Sequence, residues 1–403
     1  MKNRITAVAL MALCVLVMLI VPAKLANDSD GTSSESTATV TTADSAAQNG
    51  ATTTPAANTP TTAPPADADS DAPAATTTPA GVTDPQSPPA PAKTPVAAHG
   101  QLSISGANVV DVNGDKFQLA GMSTHGIGWF PDAVSEDSFK VLRDDWGCNV
   151  IRLAMYIEES WGGSESCYLQ DKDRNYALVT EGIDACIDLG MYVVVDWHVL
   201  NPGDPSTHTA DAQAFFEKLA KKYGDCPNII YEICNEPNGN ASWEGSIKPY
   251  AESVTKSIRN YDDDAIIVCG TPTWSQEIDK AAASPLPDKN TVYALHFYAN
   301  THTDWLRARL TTCYNSGLPV LVTEFGTCDA SGNSGFNADQ THKWIDLLND
   351  YSIGYMNWSF CNKPETASAF VDGTNLAAIK AGTSQLTESG TLIREILREE
   401  AGL

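Results

Sequence analysis

Between Phe117 and Trp358 the chain repeats one pattern eight times: a short run rich in β-branched and apolar residues, then a longer stretch whose apolar positions recur at spacings of three and four. The short runs are Phe117–Met122, Asn149–Met155, Met191–Trp197, Ile229–Asn235, Ala265–Gly270, Thr291–Phe297, Pro319–Phe325 and Gly354–Trp358. Runs this continuously apolar suit strands buried on both faces, and parallel strands need long crossovers, which helices supply. Phe215, Phe216, Leu219 and Tyr223, and again Ile345, Leu347, Leu348 and Tyr351, would line the buried stripes of two such helices, and Ser135 is placed to cap the first. The alternation predicts an α/β fold, a (β/α)8 TIM barrel. Leu102–Val112, followed by Asn113-Gly114, reads as a hairpin strand and turn ahead of the first barrel strand, placed to close the lower mouth. No repeat of short period is visible, which disfavours a solenoid or propeller.

The barrel accounts for residues 100–403. Before it, residues 27–99 consist mainly of Ala, Thr, Ser, Pro and Asp, with too little apolar surface to offset the entropy of ordering, and read as a disordered linker. Residues 1–26 have the layout of an export signal: Lys2 and Arg4 precede an apolar run from Ile5 to Val21. Cleavage after Ala23 would leave Val21 and Ala23 at the small-residue positions; retention would make residues 5–21 a short membrane anchor. Either outcome puts the barrel outside the cell, secreted or held on the outer face of the cytoplasmic membrane, and a monomeric catalytic domain is expected. The formal charge of −25 argues against nucleic acid as a partner. Nine of the ten cysteines fall in the barrel, without the short regular spacing of a disulfide framework. Cys234 and Cys269 lie inside strand-like runs, so buried thiols are expected. No CxxC or Cys/His cluster has zinc spacing.

Polar and aromatic residues stand where the runs end, the face on which such barrels build active sites. Arg152 interrupts the second run, His198 follows the third, Asn235-Glu236-Pro237 ends the fourth, His296 and Tyr298 flank the end of the sixth, Glu324 ends the seventh and Trp358 the eighth. Any one could be a satisfied polar residue of a barrel; six strands ending this way point to a site. Glu236 and Glu324 would face each other across the mouth. Such a pair suits glycosidic hydrolysis, where one carboxyl stays protonated to assist the leaving oxygen and the other stays ionised to attack the anomeric carbon. Arg152 and Asn235 are placed to hold and charge-balance them.

Seven segments in order carry a more specific likeness: Gly121-Met122-Ser123-Thr124-His125-Gly126, Ile151-Arg152-Leu153-Ala154-Met155-Tyr156, Asp196-Trp197-His198, Tyr231-Glu232-Ile233-Cys234-Asn235-Glu236-Pro237-Asn238-Gly239, His296-Phe297-Tyr298, Thr323-Glu324-Phe325-Gly326 and Asn357-Trp358-Ser359. With them the span from Gln101 to Leu403 resembles glycoside hydrolase family 5, and within it the bacterial endoglucanases. The resemblance implies a retaining endo-β-1,4-glucanase acting on cellulose and related β-glucans without metal or organic cofactor, with Glu236 as acid/base and Glu324 as nucleophile. It implies that Asn235 contacts a sugar hydroxyl, that Arg152 and Tyr298 keep Glu324 ionised and oriented, and that His198, His296 and Trp358 line the cleavage subsite. A neighbouring cation lowers a carboxylate's pKa, so Glu324 should titrate low and Glu236 high. His125, Trp129, Tyr156 and Trp274 resemble the family's sugar-stacking and hydroxyl-binding positions, and Lys363 and Glu365 a charged pair that recognises glucose beyond the scissile bond.

Two positions depart from the family pattern: Phe325 replaces a tryptophan common after the nucleophile, and Cys361 a histidine. They bear on the shape of the outer subsites. Three rival readings are a mannanase or mixed-linkage glucanase on the same barrel, a metal-dependent hydrolase using Asp196, His125, His198 and His296, and a non-catalytic glycan-binding barrel. The first strand lacks the His-x-His ending of the metal enzymes, and the intact carboxylate pair weighs against a dead barrel.

Overall fold

Strands that are apolar on both faces need cover on both, and the computed structural model supplies it by closing eight parallel strands on themselves inside a ring of helices. Residues 93–159 and 166–403 are described; the expected signal or anchor, and the linker as far as residue 92, lie outside the described residues. In chain order come α1 (Pro95–His99), β1 (Ser103–Ser105), β2 (Asn108–Val110), β3 (Ala120–Thr124), α2 (Glu136–Val141), β4 (Val150–Tyr156), α3 (Lys172–Leu189), β5 (Tyr192–His198), α4 (Thr209–Tyr223) and β6 (Ile229–Glu232). They are followed by α5 (Lys248–Ile258), β7 (Ile266–Cys269), the short α6 (Pro272–Ser275), α7 (Ile278–Ala283), β8 (Thr291–Tyr298), α8 (Asp304–Asn315), β9 (Val320–Gly326), α9 (Ala338–Tyr351), β10 (Tyr355–Phe360) and α10 (Glu388–Ala401). Strands β3 to β10 form the barrel, and β10 closes it against β3.

Each expected run overlaps one barrel strand. The first is displaced: Phe117 belongs to no barrel strand but bonds through its N–H to the Val109 carbonyl at 3.0 Å and packs its ring against His99 and Tyr192 beneath the barrel. The hairpin that precedes it is β1 and β2, paired antiparallel. Leu102, Val109, Phe117 and Leu119 there join Val150, Val194, Ile230, Val268, Ala294, Leu321 and Met356 in one buried cluster that fills the lower interior. Alternate residues of the same strands, including Ile151, Val193, Tyr231 and Ile267, pack outward on Phe215, Phe216, Leu219 and Leu348 of the helices. Two positions further along, the inward side chains become Arg152, Asp196, Glu232 and His296, all buried. The apolar lower layer is thus succeeded by a polar upper one through strand periodicity alone.

One strand breaks the alternation. β8 pairs Ala294 with Leu321 and then His296 with Glu324, while β10 pairs Tyr355 with Val322 and then Asn357 with Phe325. β9 therefore carries one residue more than either neighbour between these pairs. This bulge lets Thr323 and Glu324, adjacent in sequence, both reach partners inside the barrel.

The expected linker boundary at residue 99 falls inside ordered structure. Thr94 caps α1 by accepting from the Ala97 N–H at 3.4 Å, the Val96 N–H donates to the Gly190 carbonyl at 3.0 Å, and His99 Nδ1 lies 3.0 Å from Asp111 Oδ2. Gly190 ends α3 at φ +63°, and a Cβ there would stand 2.2 Å from the Thr94 hydroxyl, so only glycine fits both the turn and the contact. Ser135 caps α2 as expected, its hydroxyl accepting from the Ser138 N–H at 3.2 Å. No disulfide joins the described cysteines, and all but Cys226 are buried.

Candidate active site

The upper polar layer opens into a cleft of about 580 Å³ at the C-terminal ends of the strands. At its floor lies Arg152, fully buried on β4, whose guanidinium divides one charge among three carboxylates: Nε to Glu232 at 2.7 Å, NH2 to Asp196 at 2.9 Å and NH1 to Glu324 at 3.3 Å. Its remaining donors reach Asn235 Oδ1 at 2.6 Å and Ser123 Oγ at 3.2 Å. With its oxygen held by Arg152, the Asn235 amide donates to His198 Nε2 at 3.2 Å and to the Val199 carbonyl at 3.3 Å. His198 Nδ1 faces Asp196 at 2.6 Å, so each ring nitrogen has a defined role: Nδ1–H donates and Nε2 accepts. Burial, with Arg152 close by, pushes His198 well below its usual value and keeps it neutral.

Glu236 and Glu324 stand above this floor with His296 beside them. One oxygen of each glutamate and one nitrogen of His296 all lie within 4.8 Å of one another. Glu324 Oε1 accepts from the Tyr298 hydroxyl at 2.9 Å, and Glu236 Oε1 meets His296 Nδ1 at 2.9 Å. The expectation that Glu324 titrates low is overturned: burial and the Glu236 charge outweigh His296, Arg152 and Tyr298, and Glu324 is pushed up to about 7. The cation meant to lower it is already shared with two nearer carboxylates. Burial alone would lower His296, but Glu232 and Glu236 outweigh it and push the imidazole up to about 9.

Eleven of the fourteen expected residues line the cleft: His125, Tyr156, His198, Glu236, Trp274, His296, Tyr298, Glu324, Trp358, Lys363 and Glu365. Arg152 and Asn235 lie beneath it, fully buried. Trp129 departs from expectation: it packs edge-on against Tyr156, ring centroids 4.9 Å apart, and is not among the described residues of the cleft wall. On one side His198 stacks on Trp358 at 5.4 Å and lies tilted against Tyr156 at 4.0 Å. There His125 accepts the Gly126 N–H on Nδ1, and burial together with Lys363 pushes it down to about 3. Its Nε2 therefore carries the proton and points toward Glu365, 4.0 Å away. Lys363 Nζ lies 2.6 Å from Glu365 Oε2, pairing a carboxylate only 4% exposed in the wall with a lysine side chain 41% exposed.

On the other side stands Trp274, 46% exposed, in an unusual backbone. Thr273, Trp274 and Ser275 all have positive φ, between 54° and 58°. Such conformations are costly for residues with side chains. They are held by the Trp274 N–H donating to the Pro237 carbonyl at 3.0 Å and by Ser275 Oγ donating to the Asn235 carbonyl at 2.6 Å.

Several contributors were given no role in the glucanase expectation. His302, Gln276, Leu200 and the Ala330-Ser331-Gly332 turn complete the wall, and Asp196, Glu232, Thr323 and Ser123 complete the floor. Asp196 and Glu232 were readable as acidic residues two places before His198 and four before Glu236. The two departures from the family pattern lie behind the wall: Phe325 stacks on Phe297 at 5.1 Å, and Cys361 sits between the Ser359 and Ser368 hydroxyls at 3.2 and 3.0 Å.

Comparison with known proteins agrees with this geometry. The family model described as cellulase, glycosyl hydrolase family 5, matches residues 110–364. The chain is 46% identical over 313 residues to Endoglucanase N of Pectobacterium atrosepticum, covering 77% of this chain and 68% of that protein. It is 43% identical over 296 residues to an endoglucanase of Clostridium saccharobutylicum, covering 73% of this chain and 64% of that one. Among solved structures, the catalytic domain of Thermobifida fusca endoglucanase Cel5A superimposes with a TM-score of 0.72 at 36% identity, over 76% of this chain and all of that domain. A variant of that domain was solved in complex with cellotetraose.

Proposed function

Because the chain belongs to glycosyl hydrolase family 5, we propose that it is a retaining endo-β-1,4-glucanase in which Glu236 is the acid/base and Glu324 the nucleophile. The observation that carries this reading is the approach of the two carboxylates to within 4.8 Å, the spacing of retaining rather than inverting pairs, at the mouth of an open cleft.

In the first step Glu324 attacks the anomeric carbon while Glu236 gives its proton to the glycosidic oxygen. The bond to the departing chain breaks and an α-linked glycosyl–enzyme ester forms on Glu324. In the second step Glu236, now a carboxylate, takes a proton from water, whose oxygen attacks the same carbon as Glu324 leaves. Two inversions give net retention. Tyr298 and Arg152 keep the attacking carboxylate oriented, and His296 supports the charge that appears on Glu236 after proton donation.

For the substrate, the His125, Tyr156, His198 and Trp358 rings would seat the sugar on the glycone side, and Trp274 would stack on the chain beyond the scissile bond. The Lys363–Glu365 pair supports recognition of glucose hydroxyls, and Asn235 stands beneath the position of a 2-hydroxyl. The apolar run at residues 5–21 supports export, with the barrel acting outside the cell, either released or anchored through that run, as a monomer.

The deciding experiment incubates the purified protein with soluble β-1,4-glucan, mannan, xylan and mixed-linkage glucan, following reducing ends, viscosity and anomeric configuration. A rapid viscosity drop on β-1,4-glucan with β-configured products is expected. Absence of release from every polymer, or α-configured products, would sink the reading.

A further inference from the structure

The mechanism leaves unused a buried pair on the floor: Glu232, four residues before the acid/base, and Thr323, immediately before the nucleophile. Both are fully buried, and the β9 bulge is what turns Thr323 inward. A continuous path runs through them: Glu236 Oε1 to His296 Nδ1 at 2.9 Å, His296 Nε2 to Thr323 Oγ1 at 2.8 Å, Thr323 Oγ1 to Glu232 Oε1 at 2.6 Å, and Glu232 Oε2 to Arg152 Nε at 2.7 Å.

Counting protons along this path fixes its direction. Arg152 is always charged and can only donate, so it holds Glu232 as a carboxylate, which can only accept. Thr323 has a single hydroxyl proton, and Glu232 takes it. The Thr323 oxygen is then left to accept, so His296 Nε2 must carry a hydrogen. The only site on His296 whose protonation can change is therefore Nδ1, the atom facing Glu236.

We infer that Glu232 and Thr323 are positioning residues for the acid/base, acting by fixing His296 with Nε2 protonated so that Nδ1, the nitrogen facing the Glu236 carboxyl, is the one ring position that can gain or lose a proton. This rests on the glucanase reading above for the role of Glu236. In the active form His296 Nδ1 and the Glu236 carboxyl each carry a proton; when Glu236 gives its own to the leaving oxygen, the Nδ1–H, aimed at Glu236 Oε1, takes up the developing charge. When water later returns a proton to Glu236, the same bond relaxes. No proton enters or leaves through Thr323 in either step, because its hydrogen stays on the side of Glu232.

Other groups around His296 do not offer an alternative. Glu324 on β9 is engaged by Tyr298 and Arg152, Asp196 on β5 by His198 and Arg152, and Glu232 Oε1, 3.8 Å from His296 Nε2, already accepts the Thr323 hydroxyl. His198 is occupied on both nitrogens. His302 accepts the Tyr298 N–H on Nδ1 and bonds to neither Glu236 nor His296.

Two measurements test this. In the wild-type protein labelled with 15N-histidine, the His296 signal, assigned by its loss in His296→Asn, should show Nε2 protonated at every pH and only Nδ1 titrating. An unprotonated Nε2 at any pH where the protein is folded overturns the proposal, and this result needs no substrate, so it stands apart from failure of the glucanase reading. Kinetically, Thr323→Val removes the acceptor without changing volume. Its alkaline limb of kcat/KM on soluble β-1,4-glucan should move about one pH unit lower, with about a tenfold loss at the old optimum. Its kcat/KM on dinitrophenyl β-cellobioside, whose leaving group needs no proton, should change by less than about threefold. Thr323→Ser should return the limb to its wild-type position. An unmoved limb in Thr323→Val, or equal losses on both substrates, overturns the assignment.

Discussion

Glu324 shows how one cation fails to serve three anions. Arg152 is closer to Glu232 and Asp196 than to the nucleophile, so burial prevails and the carboxyl is pushed up to about 7. A nucleophile must be ionised, so kcat/KM should fall as pH drops through about 7 and not only near the ordinary carboxylate value of 4.5. A pH–rate profile with its acid limb below about pH 5 would contradict this. The same shift has a stability side. A folded value above the unfolded one contributes stability below 4.5, and that contribution is lost as pH rises through about 7. Glu324→Gln, neutral at all pH, should therefore melt like the wild type near pH 4.5 but gain up to about 3 kcal/mol above pH 8, as read by thermal melts at both. Both glutamates were legible in the sequence because they end predicted strands. Thr323 was not, since strict alternation with an inward Glu324 would turn it outward, and the register shift that prevents this depends on pairing with two other strands. The pKa direction was missed for a similar reason: the number of carboxylates that share Arg152 is a property of the closed barrel.

At the level of elements, the β7–α7 connection concentrates strain at the cleft. Its three left-handed residues are tied back to Asn235 and Pro237, flanking the acid/base, so Trp274 is aimed by the same segment that aims Glu236. Trp274→Ala should raise KM for cellohexaose and soluble glucan about tenfold, as expected for loss of an exposed stacking ring, and leave a short aryl cellobioside nearly unchanged. Equal losses on long and short substrates would mean that the ring supports the loop and not the sugar. The eight strands were readable as apolar runs, and their limits slid by a few residues where polar side chains continue the strand, as at His198 and Tyr298. Trp129 looked like a sugar platform because it follows a strand end closely, but Gly126 lets it fold back against Tyr156: a Cβ on Gly126 would stand 2.4 Å from its ring. Contacts of that kind leave no mark on periodicity.

Across the whole molecule, the lower end of the barrel carries stability and the upper end carries chemistry, and the two can be altered separately. A chain beginning at Lys93 keeps α1 and its cap, and its melting temperature should match that of the longer protein. Starting instead at Gly100 removes the Thr94, Val96 and His99 contacts and should cost about 1–2 kcal/mol, while kcat on soluble glucan stays within about twofold. A start at Gly100 with no loss in denaturant melts would show that the docked helix is dispensable. The cysteines set a further condition on survival. In the folded barrel, burial raises Cys148 and Cys186 far above ordinary thiol values and makes them poor nucleophiles. Each complete opening in an oxygenated medium exposes nine sulfurs to one another with no native pairing to guide them. Unfolding there acts as a ratchet: the lifetime of the enzyme is decided by how often the barrel opens, and its half-life at a temperature just below melting should lengthen several-fold with added reductant while the melting temperature stays fixed.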